Sequence, residues 1–184
     1  MGEAFSWIGQ IVQWIGSFLP HHVHVKATHM GVMFTRSNAK TIGPGIHWYL
    51  PFMSEPLIWP VKRQTLNLPY QVLTTKDHKE IFTSVIVTYE VEDIYKALVE
   101  SFDFEDTILE TAEGAVKKVI ARKDYAELLE NQRNVDIELS RRIRSDIKPY
   151  GVKVISAVIK DFSKIRVFRV VGNDFTRDNP AGVQ

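Results

Sequence analysis

The spacing of apolar side chains changes several times along the chain, and each change marks an element. Between residues 5 and 19, Phe5, Ile8, Ile11, Val12, Ile15, Phe18 and Leu19 fall close to helical spacing, with Trp7 and Trp14 flanking the same stripe. The opposite side carries Ser6, Gln10, Gln13 and Ser17, with Gly9 and Gly16 beside it, and Pro20 ends the helix. From residue 22 the period shortens to two. "HVHVKATHMGVMFT" (22–35) predicts a strand, or a strand pair bent around Gly31, and "TIGPGIHWYLPF" (41–52) follows as a loop. "LIWPVKRQTLNLPYQVLTT" (57–75) predicts two short strands broken by Pro60 and Pro69, residues suited to sheet edges and bulges. Beyond a turn at "KDHK" (76–79), "EIFTSVIVTYEVED" (80–93) is the clearest strand. There Ile81, Thr83, Val85, Val87, Tyr89 and Val91 face one way, and Phe82, Ser84, Ile86, Thr88 and Glu90 the other.

The period then lengthens. Residues 93–101 predict a short helix capped by Asp93. Over 103–122, Phe104, Ile108, Leu109, Ala112, Ala115, Val116, Val119 and Ile120 share one stripe, with an acidic first turn and a basic last turn, as the helix dipole prefers. Asp124 and Glu127 predict a capping box for a helix that buries Leu128, Val135, Leu139, Ile143 and Ile147 and stops at Pro149 and Gly151. "GVKVISAVIKDF" (151–162) alternates again and predicts a strand returning to the sheet. Strands, then helices, then one more strand predict an α+β domain: a mostly antiparallel sheet with helices packed on one side. The expected organisation is a leader helix over 1–20, the domain over 21–165, and over 166–184 a short strand or extension with an aperiodic, disordered tail.

Composition changes this picture little. The 184 residues suffice for one core, and a net charge of +1 implies no overall attraction to nucleic acid or anionic lipid. There is no cysteine, which excludes disulfides, thiolate nucleophiles and Cys-ligated metals. The leader is more telling. Glu3 is the only charged side chain in 2–20, and the first lysine is Lys26. About sixteen helical residues at ~1.5 Å each reach roughly 24 Å, short of the ~30 Å hydrocarbon core. A helix lying in the interface, with its tryptophans at headgroup depth, is therefore expected. The other reading docks the same helix on the domain behind it. A secretory signal does not fit, because a basic start and a small-residue cleavage site are missing. "MGEAFS" matches the loose N-myristoylation pattern.

Candidate chemistry is thin. Of six histidines, four lie at His21, His22, His24 and His29, and His22 and His24 are spaced to share a strand face. No carboxylate follows at ligand spacing, so a metal site is not expected. "GPG" lacks the lysine and helix start of a phosphate loop, and a nucleophile elbow is absent. The basic run "SRRIRSDIK" (140–148) sits late in a helix, where cations are stabilised anyway, so no nucleic-acid partner is expected. No catalytic residue, metal or cofactor is assigned.

Several stretches, in order, resemble one family. "GPGIHWYLPF" (43–52) is similar to the signature loop of the SPFH, or band 7, domain of stomatins, prohibitins and flotillins. "TTKDHKEIFTSVIVTYEVED" (74–93) resembles its paired strands, and residues 115–162, with "YGVKV" and "IKDF", resemble its helix–helix–strand segment. The resemblance covers roughly residues 24–165. It implies an α+β domain held on a membrane, without enzyme activity, that self-assembles into homo-oligomeric rings or cages and scaffolds lipid or membrane proteins. The expected partners are membrane lipid, further copies of the chain, and a membrane protein or a longer family member; the expected location is the membrane's cytoplasmic face. Two departures stand out. His78 occupies a turn position where the family commonly has glycine, which a different turn type would absorb. The sequence ends at Gln184, before the family's long coiled coil, so assembly is expected to rest on domain–domain contacts.

In the signature loop, Gly43 and Gly45 permit turns, Pro44 and Pro51 stiffen the path, and His47, Trp48, Tyr49, Leu50 and Phe52 supply amphipathic contacts. One reading places Trp48 and Phe52 at the headgroups beside the leader's Phe5, Trp7, Ile8, Ile11, Val12, Trp14, Ile15, Phe18 and Leu19. The other makes Trp48 and Phe52 a plug for the end of the sheet. Two rival functions remain beside the scaffold: a soluble regulatory module with a docked N-terminal helix and one protein partner, and a metal-dependent enzyme using His22 and His24.

Overall fold

The computed structural model describes residues 19–165, arranged as nine strands, four α-helices and one 3-10 turn. β1 (His21–Val25) pairs with β4 (Gly45–Tyr49) as a separate ribbon. β2 (His29–Thr35) lies between β3 (Asn38–Ile42) and β5 (Ser54–Pro60). The main sheet is built on β8 (Glu80–Val91). β9 (Val152–Lys164) runs along one edge of β8 for most of its length, and β6 (Gln64–Asn67) and β7 (Gln71–Thr74) follow one another along the other. Every one of these pairings is antiparallel.

The helices are α1 (Ile94–Val99), α2 (Phe104–Ile120), α3 (Tyr125–Glu130) and α4 (Gln132–Ile147), the last running into the 3-10 turn Lys148–Tyr150. The expected inward face of β8 is buried throughout, from Ile81 to Val91. The α2 stripe is buried too, apart from the half-buried Leu109, and Val135, Leu139, Ile143 and Ile147 close the core from α4. Each fully buried Val, Leu, Ile or Phe among them contributes about 1.5–3 kcal/mol of hydrophobic stabilisation, which is what holds helices to sheet. The α+β reading is therefore the observed architecture.

Local expectations fared less evenly. β1 and β2 part at Lys26–Thr28, where the His29 amide donates to the Lys26 carbonyl at 2.9 Å, and not around Gly31. Gly31 lies inside β2, where a Cβ would meet the Leu57 carbonyl of β5 at 2.6 Å, so its smallness admits the neighbouring strand. The supposed loop 41–52 contains all of β4, and 57–75 takes part in three strands, not two. The capping box of α3 does not form. Asp77, from the β7–β8 turn, accepts the Tyr125 amide at 3.1 Å, while Glu127 binds Lys123 at 2.6 Å. Asn131 interrupts the long helix and splits it into α3 and α4. His78 adopts the left-handed conformation itself, φ 57°, so the turn keeps the shape glycine would favour.

Two junctions fix the geometry. Gly151, φ 75°, offers its carbonyl to the amides of Glu92 and Asp93, both at 2.9 Å, joining the start of β9 to the start of α1. A Cβ there would meet the Asp93 carbonyl at 2.4 Å. Along β9, α4 replaces a neighbouring strand. Asp136 accepts the Ile159 amide, Ser140 both accepts from and donates to Ala157, and Arg144 donates to the carbonyls of Val154 and Ile155. These three residues recur every four positions, which puts them on one helix face.

Candidate membrane-facing edge

The β1–β4 ribbon sorts its side chains by register. Directly opposed residues of an antiparallel pair share a face. His22 opposes Trp48 and His24 opposes Ile46, and all four are exposed. Val23 opposes His47 and Val25 opposes Gly45, forming the inward side, where Val25 is fully buried. Trp48 is 68% exposed and Ile46 63%, and the Trp48 ring lies 5.5 Å from that of His22. Trp48 therefore stands off the sheet and does not plug its end.

The loop residues before and after β4 hold this arrangement. Gly45 has φ 136°, a region that L side chains rarely adopt. Its position is fixed from one side by His47, whose Nε2 lies 2.8 Å from the Gly43 carbonyl and donates to it when the ring carries its proton there. Pro44 is exposed between the two glycines. After Tyr49, the Leu50 carbonyl accepts from the amides of both Met53 and Ser54, at 2.9 Å each. That tight turn presents Pro51, Phe52 and Met53 at its tip, with Phe52 49% exposed. Leu19 is exposed as well, and its carbonyl lies 2.9 Å from His21 Nδ1 at the start of β1.

Of the sequence-predicted contact residues, Leu19, Trp48 and Phe52 are exposed near the ribbon's open end. Phe5, Trp7, Ile8, Ile11, Val12, Trp14, Ile15 and Phe18 lie outside the described residues. Ile46 and Met53 are exposed there as well and were not among the predicted residues. The period-two spacing of Ile46 and Trp48 within "GIHWY" was the available signal, hidden by reading the stretch as a loop. Among the described residues, no group of three or more His, Asp or Glu side chains is placed to hold a metal ion, and no helix is long and apolar enough to cross a membrane.

An antiparallel α+β domain with an exposed aromatic edge close to Leu19, where the described residues begin, is the class of structure at hand. The model of the SPFH domain / Band 7 family matches residues 23–165, and the chain belongs to that family. Members of the family are in general membrane-associated scaffolds without catalytic activity of their own. The chain is 26% identical over 156 residues to an uncharacterized protein of Archaeoglobus fulgidus, covering 84% of this chain and 63% of that protein. It is 27% identical over 119 residues to a stomatin homolog of Pyrococcus horikoshii, covering 65% and 45% respectively. It is 24% identical over 161 residues to prohibitin 1 of Drosophila melanogaster, covering 81% and 58%. The matched region thus spans between under half and just under two thirds of these relatives.

Proposed function

We propose that this chain is a non-enzymatic scaffold, held at the cytoplasmic surface of a membrane by its leader and gathered there into homo-oligomers. Such an assembly organises a patch of lipid or regulates a membrane partner, a membrane protein or a longer family member being the candidates. The observation that carries the reading is the Trp48–Ile46 face, two large apolar side chains left in solvent on the ribbon that begins one residue after the leader. Exposed aromatics suit the interfacial zone, where an apolar body and a polar ring edge are both satisfied, and the sequence just before the ribbon carries a single charged side chain, Glu3. One leader binds lipid modestly, and assembly multiplies its hold by raising the local concentration of the others.

Liposome flotation tests it on three proteins: the full chain, a chain beginning at His21, and full-length Trp48→Ser/Ile46→Ser. The full chain is expected to float and the truncated one to stay in solution. The double substitution is expected to weaken partitioning by at least roughly tenfold, since even partial burial of the two side chains is worth more than about 1.4 kcal/mol. Failure of the full chain to float favours the soluble module with a docked leader.

A further inference from the structure

The two ends of α2 carry surfaces that complement one another. At its N-terminal end, Phe102 in the α1–α2 loop is fully exposed. Around it stand Glu100, Glu105 and Asp106, all exposed, and none has a cation within ion-pair distance among the described residues. Beneath the same loop, Ser101 Oγ and Trp59 Nε1 are buried without a hydrogen-bond partner. A loop that strands two polar atoms is not in its best-satisfied arrangement.

At the other end, α2 and α4 enclose a groove of about 530 Å³. Val119 lies on its floor, and Ile137, half out in solvent, lines it from α4. Four cations rim it, Lys118, Arg122, Arg141 and Arg142, against one carboxylate, Glu138, which is already paired with Lys123 at 3.1 Å. Asp146 engages Lys118 at 3.6 Å and Arg142 at 3.0 Å, whereas Arg122 and Arg141 have no carboxylate within ion-pair distance among the described residues. The helix dipole accounts for an acidic start and a basic end of α2. It does not account for an aromatic ring held in water, or for a groove to match.

We propose that copies of the chain join head to tail, the Phe102 knob and acidic collar of one seated in the basic-rimmed groove of the next. This rests on the self-association proposed above and names its contact surfaces. Knob and groove lie some sixteen residues apart along α2, about 24 Å, so a molecule cannot satisfy its own groove. A contact between two different surfaces leaves a free knob and a free groove at every step, and therefore builds rings or filaments, not closed pairs. Burying an aromatic at the centre with opposite charges at the rim is also how specific interfaces are arranged.

The absence of cysteine makes the contact directly readable. Full-length protein bound to vesicles carries Glu100→Cys beside the knob and Ser145→Cys on the groove wall, and is treated with a short thiol-to-thiol cross-linker. The doubly substituted chain is expected to give a ladder of dimers, trimers and larger species. Each single variant gives none, and a mixture of the two stops at dimers. Adding Phe102→Ser, or Arg122→Glu with Arg141→Glu, abolishes the ladder without changing thermal unfolding, because these side chains are on the surface. A missing ladder, a ladder indifferent to those substitutions, or self-linking of either single variant overturns the contact. Flotation of the same samples is scored separately, so a loss of membrane binding is distinguished from a loss of head-to-tail contact.

Discussion

Gly151 and Asp77 each hold together parts of the chain far apart in sequence. Replacing Gly151 by alanine sets a Cβ against the Asp93 carbonyl in a left-handed backbone. Loss of at least about 2 kcal/mol is expected, read as a lower denaturant midpoint at unchanged slope. His78 offers the reverse. A non-glycine residue at φ 57° is strained, so His78→Gly is expected to gain about 0.5–1 kcal/mol, net of the extra freedom glycine gives the unfolded chain. Asp77 is held well below the usual carboxylate range by the Lys79 ammonium first, then by the Thr75 hydroxyl and the Tyr125 amide. A depressed carboxylate binds fewer protons folded than unfolded, so its contribution is complete above about pH 4 and drains away as pH falls further. The melting-temperature gap between wild type and Asp77→Asn is expected to narrow on acidification below that point. Gly151 as a helix stop and His78 in a glycine-like turn position were legible in the sequence; the long-range bonds of Gly151 and Asp77 were not. The sequence offers Asp124 as the cap of α3, its nearest neighbour along the chain, while the carboxylate that accepts the first amide of the helix arrives from a turn 48 positions away.

At the scale of elements, strong periodicity was read correctly and weak periodicity was not. β8, α2 and the buried face of α4 announce themselves because one side of each must be apolar over many residues. β4 did not, since its outward residues are as greasy as its inward ones and glycine and proline surround it. The polar seam between α4 and β9 is invisible to any hydrophobic pattern, because Asp136, Ser140 and Arg144 read as ordinary surface. The seam is expected to matter. Ser140→Ala removes both bonds to Ala157 and leaves its backbone groups poorly paired, costing about 1–3 kcal/mol. Hydrogen exchange should show the amides of Ala157 and Ile159 losing protection ahead of those facing β8.

For the molecule as a whole, the family and the architecture were legible, and the orientation of the signature loop was not. Counting aromatics between residues 41 and 52 does not say which of them face solvent; only the pairing of β4 with β1 does. If that edge meets headgroups, a variant with Trp48 as its sole tryptophan should shift its emission to the blue on adding vesicles. It should also be quenched by brominated acyl chains, while the same chain in buffer is not. An unshifted, unquenched Trp48 removes the edge from the lipid-contacting surface and leaves the leader to act alone.

The side chains of α4 have a further consequence where many copies crowd together in two dimensions. A long bare strand at such density invites zippering into irreversible cross-β aggregates. Along β9 the outward amides and carbonyls from Val154 to Ile159 are already engaged. Over that stretch the edge is therefore closed to a stranger's backbone, and a neighbouring copy there would meet side chains, which part again.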